Sequence, residues 1–334
     1  MSYSPGYREN WMERLTAQVP EFSSRPLTSI AFPGSHDSGT STISSQSSLL
    51  RDSPMAYRFL ANIPVIGSCC VKPVIARWAR SQDLSVAEQM ENGIRYFDFR
   101  VARGDASNGL PDKNLCLCHT LRGDPLAPAL EAVAQFVEKH PNEIIFLDFK
   151  EFHDWEQDSD NSLIDLIKET VGPFLYPYDA SKPISVTPTS MREAKKTIIL
   201  RYLKQSVTDV YKDFWPENSI VSPWIDTASP HTLVTSLCDN LKAGHTKNSF
   251  YVSQCILTPV ASTVLKSVCC CCSPCCHGPR NLQELAQEAR EPILEWLIKN
   301  DTARQDINVA ISDFVDADKF AFIDAIIGLN ISRS

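Results

Sequence analysis

The chain has 334 residues, of which 43% are hydrophobic and 22% charged, with a net charge of −8. That apolar fraction supports a large core, and barrels of this length form single domains. The acidic balance disfavours nucleic acid and simple adsorption to an anionic membrane as modes of binding. No apolar run approaches the ~18 residues of a membrane-spanning helix. Residues 1–14 are polar and lack a signal core, so the expected location is cytoplasmic, with the twelve cysteines reduced.

Short β-rich runs alternate with amphipathic stretches along the chain. The first strand is expected at 29–32. It runs into Pro33-Gly34-Ser35-His36-Asp37-Ser38-Gly39, a turn that presents an imidazole beside a carboxylate. Further strands are expected at 94–101, 115–119, 143–150, 197–203, 220–224, 250–256 and 307–314. Helices are expected at 126–140, ended by Pro141, and at 161–171 and 282–299. This alternation predicts parallel strands joined by crossover helices. The fold class is therefore α/β, a distorted TIM-like (β/α)8 barrel. It is read as one domain over 1–334, with its core at about 20–330. The repeat is imperfect at 115–119, which follows its predecessor without a convincing helix.

Polar residues recur where these strands end: His36 and Asp37, Asp98 and Arg100, His119, Lys150 and Glu151, Arg201, Asp226, and Asp313. In a parallel barrel such ends converge on one face, where active sites lie. Taken singly, a lone Asp or Arg at a strand end is more often a turn residue or a surface ion pair. His140, His153, His231, His245 and His277 read as structural loop or helix-end histidines. No ordered zinc spacing, nucleophile elbow or phosphate-binding glycine loop is present.

Several motifs, in this order, resemble the X-domain of phosphatidylinositol-specific phospholipases C. They are Pro33-Gly34-Ser35-His36-Asp37, Gly93-Ile94-Arg95-Tyr96-Phe97-Asp98-Phe99-Arg100, Cys118-His119, the segment from Pro141 to Lys150, and Ser312-Asp313-Phe314. The likeness covers roughly residues 10–330 and is nearest to small eukaryotic proteins made of little more than that domain. It implies a distorted barrel and a phosphoric diester hydrolase that cleaves phosphatidylinositol to diacylglycerol and a cyclic inositol phosphate, in lipid metabolism or signalling. His36 resembles the general base, Asp313 the carboxylate that orients it, and His119 the general acid. Asp37 assists on the acid side, and Arg100 holds the phosphoryl oxygens. Lys150, Arg201 and Asp226 resemble headgroup-binding residues, with Trp224 or Tyr251 as the aromatic ring stacked on inositol.

Arg100 and Lys150 stand where calcium-dependent relatives carry acids, and Asp37 stands in place of an amide ligand. No metal and no other cofactor is therefore expected. The expected partner is phosphatidylinositol in a membrane contacted peripherally, with no obligatory protein partner. The competing reading is a catalytically weak phosphoinositide-binding protein. An apolar loop at 49–78 and the run Cys269-Cys270-Cys271-Cys272-Ser273-Pro274-Cys275-Cys276 offer membrane contact, although 49–78 reads more readily as a helix packed on the barrel. The cysteine run reads three ways: S-palmitoylated, a metal site with His277, or an unmodified loop.

Overall fold

The first strand lies further along the chain than expected. Leu27–Ser29 is a 3-10 turn, and β1 is Phe32–Ser35, which includes the Pro33-Gly34 pair read above as part of a turn. Those breakers are tolerated because β1 is gripped on both sides. It pairs in parallel with β2 (Tyr96–Arg103) and β10 (Val309–Ser312). Gly34 is required by the closeness of these neighbours. A Cβ there would lie 2.8 Å from Ile311 Cγ2 and 3.0 Å from Tyr96. The computed structural model describes residues 5–53, 71–104, 115–180, 185–244, 249–260, 262–264 and 278–333. The cysteine run at 269–276 and the apolar stretch at 59–70 lie outside the described residues.

The remaining strands are β3 (Leu115–His119), β4 (Leu121–Pro125), β5 (Ile145–His153), β6 (Ile198–Tyr202), β7 (Phe214–Trp215), β8 (Ile220–Val221) and β9 (Phe250–Gln254). The main path is β7-β6-β5-β2-β1-β10-β9-β8, and every neighbouring pair in it is parallel. The path curls into a distorted TIM-like α/β barrel of one domain. Its two ends approach one another: the Trp215 ring on β7 lies 5.8 Å from Phe250 on β9. Aromatic rings fill the interior. Phe146 meets Phe32 at 5.0 Å and Phe250 at 4.9 Å, both edge to face, and all three are fully buried.

One expected strand changes place. The segment 115–119 does not join the parallel path; it runs antiparallel to β2 and to β4 as a hairpin. Only Thr120 links β3 to β4, far short of the dozen or so residues a parallel crossover needs. The eighth parallel strand is instead the two-residue β7, too short to leave a periodic trace.

The helices follow their apolar spacing. Leu126–Lys139 buries Leu126, Ala129, Leu130, Val133, Phe136 and Val137, a single i, i+3, i+4 stripe. It stops at His140, where the following proline disfavours helical backbone. Leu282–Lys299 begins at Asn281, whose side chain accepts the Glu284 N–H at 2.7 Å. The C-terminal helix Ala317–Ser332 closes the barrel over β1. Its Asn330, within a glycosylation-like triplet, is fully buried and bonds both the N–H (2.8 Å) and the carbonyl (2.9 Å) of Ala31. Among the described residues, no helix is long and apolar enough to cross a membrane.

Candidate active site

His36, His119 and Asp313 each stand just before a residue in the left-handed region: Asp37 (φ 43°), Thr120 (φ 61°) and Phe314 (φ 47°). Non-glycine residues seldom sit there, and such strain clusters where side chains must be aimed. The chain breaks away from each strand at these points, leaving the preceding side chain at the barrel mouth. All three line one cleft of about 970 Å³.

His36 Nδ1 lies 2.8 Å from Asp313 Oδ1. A neutral ring donating from Nδ1 to that carboxylate carries its lone pair on Nε2. Nε2 faces Arg100 Nη2 at 3.2 Å and Asp37 Oδ2 at 3.4 Å. Burial alone would push the His36 pKa down. The carboxylates of Asp37 and Asp313 outweigh burial and the Arg100 charge, and raise it above the ordinary value. Gln82 pins both strand ends: its Nε2 donates to His36 O and Ser312 O, each at 2.9 Å. Its Oε1 accepts the Val315 N–H at 3.2 Å.

Asp37 is the hub. Its Oδ1 lies 2.6 Å from Arg100 Nε, and its Oδ2 lies 3.3 Å from His119 Nδ1. Burial favours the neutral acid, but Arg100 and the two imidazoles hold the group ionised, far below the usual carboxylate range. His119 Nδ1 also faces Ala79 O at 2.8 Å, which leaves Nε2 to meet a substrate. The two imidazole rings stand 6.3 Å apart.

A bulge places the cations. The β2–β5 register pairs Phe99 with Phe149 but Arg100 with Glu151, so Lys150 is the extra residue. Both bulge residues thereby reach the cleft. Lys150 Nζ lies 2.8 Å from Asp98 Oδ2, and Glu151 Oε2 lies 3.5 Å from Arg100 Nη1. Burial opposes the Lys150 charge, yet Asp98 prevails and raises its pKa. His153, read above as structural, stands between Glu151 (3.2 Å) and Asp52 (2.8 Å) and so backs the Glu151–Arg100 contact.

The ligand atoms of His36, Asp37 and Asp98 lie within 4.8 Å of one another, a spacing that could suit a cation. They do not fit one well. Arg100 Nε already stands 2.6 Å from Asp37 Oδ1 as an ion pair without hydrogen-bond geometry, and Lys150 Nζ takes Asp98 Oδ2 at 2.8 Å, so a further cation there would meet two fixed positive charges.

Beneath this layer, Arg201 donates from Nε and Nη2 to the two oxygens of Asp148, each at 2.6 Å. Its Nη1 donates to Ile220 O at 3.0 Å, and the Tyr96 hydroxyl bonds Asp148 Oδ2. Arg201 lines the cleft, but most of its donors serve the barrel. Two expectations for the headgroup side differ from the structure. Asp226 is exposed and does not line the cleft, because the chain after β8 turns away beyond Trp224. Tyr251 points into the apolar layer behind β9 and is 5% exposed. Trp224 is the ring at the cleft, 5.9 Å from His36 and 47% exposed.

A family model for the PI-PLC X domain matches residues 55–158, a span that holds Arg100, His119 and Lys150. The mouse "PI-PLC X domain-containing protein 2" is 32% identical over 316 residues, covering 93% of this chain and 85% of that protein. The human "PI-PLC X domain-containing protein 3" is 28% identical over 99% of this chain and 97% of its own length. The chain belongs to the PI-PLC X domain-containing protein family.

Among solved structures, the phosphatidylinositol-specific phospholipase C of Listeria monocytogenes superposes with a TM-score of 0.63. It is 16% identical, over 96% of this chain and 98% of that one. A Staphylococcus aureus phosphatidylinositol-specific phospholipase C gives a TM-score of 0.62 at 18% identity, over 98% and 100%. At those identities the likeness is one of fold. In this X-domain protein the motif residues His36, Asp37, Arg100, His119, Lys150 and Asp313 meet around one cleft. Gln82 and His153 join them without any motif to announce them, since an amide bonding two backbone carbonyls follows no recognisable pattern.

Proposed function

We propose that this X-domain protein is a phosphodiesterase that cleaves phosphatidylinositol by paired-histidine acid–base catalysis without a metal ion. The observation that carries this reading is the placement of His36 and His119 on either side of Arg100 and Asp37. His36 Nε2 takes the proton of the inositol 2-hydroxyl, and that oxygen attacks phosphorus within the same molecule. Asp313 holds the ring and balances its charge once protonated. Arg100 turns from His36 to the phosphoryl oxygens as negative charge builds on them. His119 Nε2 gives its proton to the departing glyceryl oxygen. The products are diacylglycerol and a cyclic inositol phosphate. Lys150, Arg201 and Trp224 take the ring, while Glu151 and Glu217, also at the cleft, disfavour headgroups with additional phosphates.

Two fixed cations beside Asp37 and Asp98 do electrostatically what calcium does elsewhere. Headgroup release from phosphatidylinositol vesicles is therefore expected to be unchanged by a chelator and not stimulated by added Ca²⁺. Activity abolished by chelation and restored by Ca²⁺ would falsify the metal-free mechanism. The protein works at the bilayer surface. The decisive comparison measures wild type against His36→Ala and His119→Ala. Equal release by all three removes the assigned roles, and no release by wild type favours a lipid-binding protein.

A further inference from the structure

The cleft is divided in character. In strand order, β5 and β6 lie on one side of β1, whereas β10 and β9 lie on the other. The first side supplies Lys150, Glu151 and Arg201. The opposite wall, although it includes Gln254 and Thr258, is largely apolar. Val74, Ile75 and Trp78 come from the helix Lys72–Ala79, Ile256 and Leu257 from the segment after β9, and Leu282 from the start of the next helix. Val74, Trp78, Leu257 and Leu282 belong to one packed cluster. That wall is continuous with the general acid, because Ala79 at the end of the same helix holds His119 Nδ1 through its carbonyl at 2.8 Å.

We infer that this apolar half of the cleft is a subsite for one hydrocarbon chain of the lipid that carries the scissile phosphate. The inference rests on the phosphodiesterase reading above and names what that site recognises. His119 protonates the leaving glyceryl oxygen, so the leaving group points toward the helix that positions His119. That helix presents Val74, Ile75 and Trp78 to whatever extends beyond the glycerol. The volume agrees: about 970 Å³ is at the upper end of pockets that enclose drug-sized ligands, and a polyol phosphate is smaller than these. Among the described residues, a headgroup alone leaves the apolar wall without an occupant. An acyl chain, attached through the glycerol, fills it with no new polar partner. The enzyme thereby recognises a lipid molecule raised partly from its bilayer, rather than the headgroup alone.

The test separates binding from turnover. His119→Ala protein is titrated by calorimetry with glycerophosphoinositol, then with single-chain lysophosphatidylinositols of increasing short chain length, all below their micelle concentrations. The dissociation constant should fall about fourfold per added methylene and then level off where the wall ends. The heat capacity of binding should become more negative along the series. Ile75→Trp in the same background, checked for folding by its melting temperature, should flatten the series by filling the wall. Equal affinity for glycerophosphoinositol and every chain length, or no binding at any length, overturns the subsite. Wild-type turnover on phosphatidylinositol vesicles is read independently, so its absence would count against the phosphodiesterase reading while the chain-length series still decides the subsite.

Discussion

Replacing His36 or His119 with alanine is expected to lower headgroup release by about 100- to 10,000-fold each, the usual contribution of a positioned proton-transfer group. The double variant should lose much less than the product of the two if the histidines act in one event around Asp37, as proposed above. Asp313→Asn gives the sharper signature. His36 must be neutral to accept a proton, and its pKa is raised by Asp37 and Asp313 against burial. The acidic limb of kcat/KM should therefore lie above the ordinary histidine value of about 6.5. An asparagine at 313 removes one of the two carboxylates that favour the charged ring. The pKa of His36 must then fall, and the acidic limb must move to lower pH while the plateau rate drops. Thermal melting of the variant checks that the fold survives. An unmoved limb in a folded Asp313→Asn protein would show that Asp313 does not govern the base.

What the residues disclosed on their own depended on how locally each feature is encoded. The position of His36 and Asp37 at the cleft was legible because it follows from a strand end and the turn after it, even though β1 itself begins only at Phe32; their proposed roles come from the family resemblance. Arg100, His119, Lys150 and Asp313 were legible in the same way. The route by which His119 reaches the cleft was not. It arrives on an antiparallel hairpin, and pairing direction depends on connection length and sheet context rather than on the apolar pattern of 115–119. The bulge at Lys150 was equally hidden, since an extra residue in one strand has meaning only against its partner's register. Asp226 misled because the segment after β8 has no periodicity to orient its side chains. The helix Lys72–Ala79, which forms the apolar wall, overlaps 49–78, a stretch read either as a helix packed on the barrel or as a membrane-facing loop. Its apolar residues face the cleft and the barrel, and their pattern alone did not distinguish those surroundings from a bilayer.

Arg201→Ala is expected to cost about 3–5 kcal/mol of stability, the penalty of leaving a buried carboxylate unpaired. Asp148 is fully buried, Arg201 is 5% exposed, and the guanidinium meets both carboxylate oxygens at 2.6 Å. The effect reaches beyond the pair. β6 and β8 are separated along the strand path, yet Arg201 Nη1 on β6 donates to Ile220 O on β8 at 3.0 Å. A side chain thus does across the open seam what backbone bonds do elsewhere in the barrel. Urea unfolding at unchanged slope should show the loss as a lower midpoint. Lysine at 201 should rescue little, because a single ammonium cannot match a two-oxygen fork and also reach Ile220. Arg201→Met with Asp148→Leu should recover part of the loss, since similarly sized apolar groups carry no charge to desolvate. Recovery stays incomplete because the Tyr96 hydroxyl then lacks its acceptor, at a cost of about 1–3 kcal/mol. A midpoint for Arg201→Ala within about 0.5 kcal/mol of wild type, the range of ordinary surface substitutions, would show that the seam holds without it.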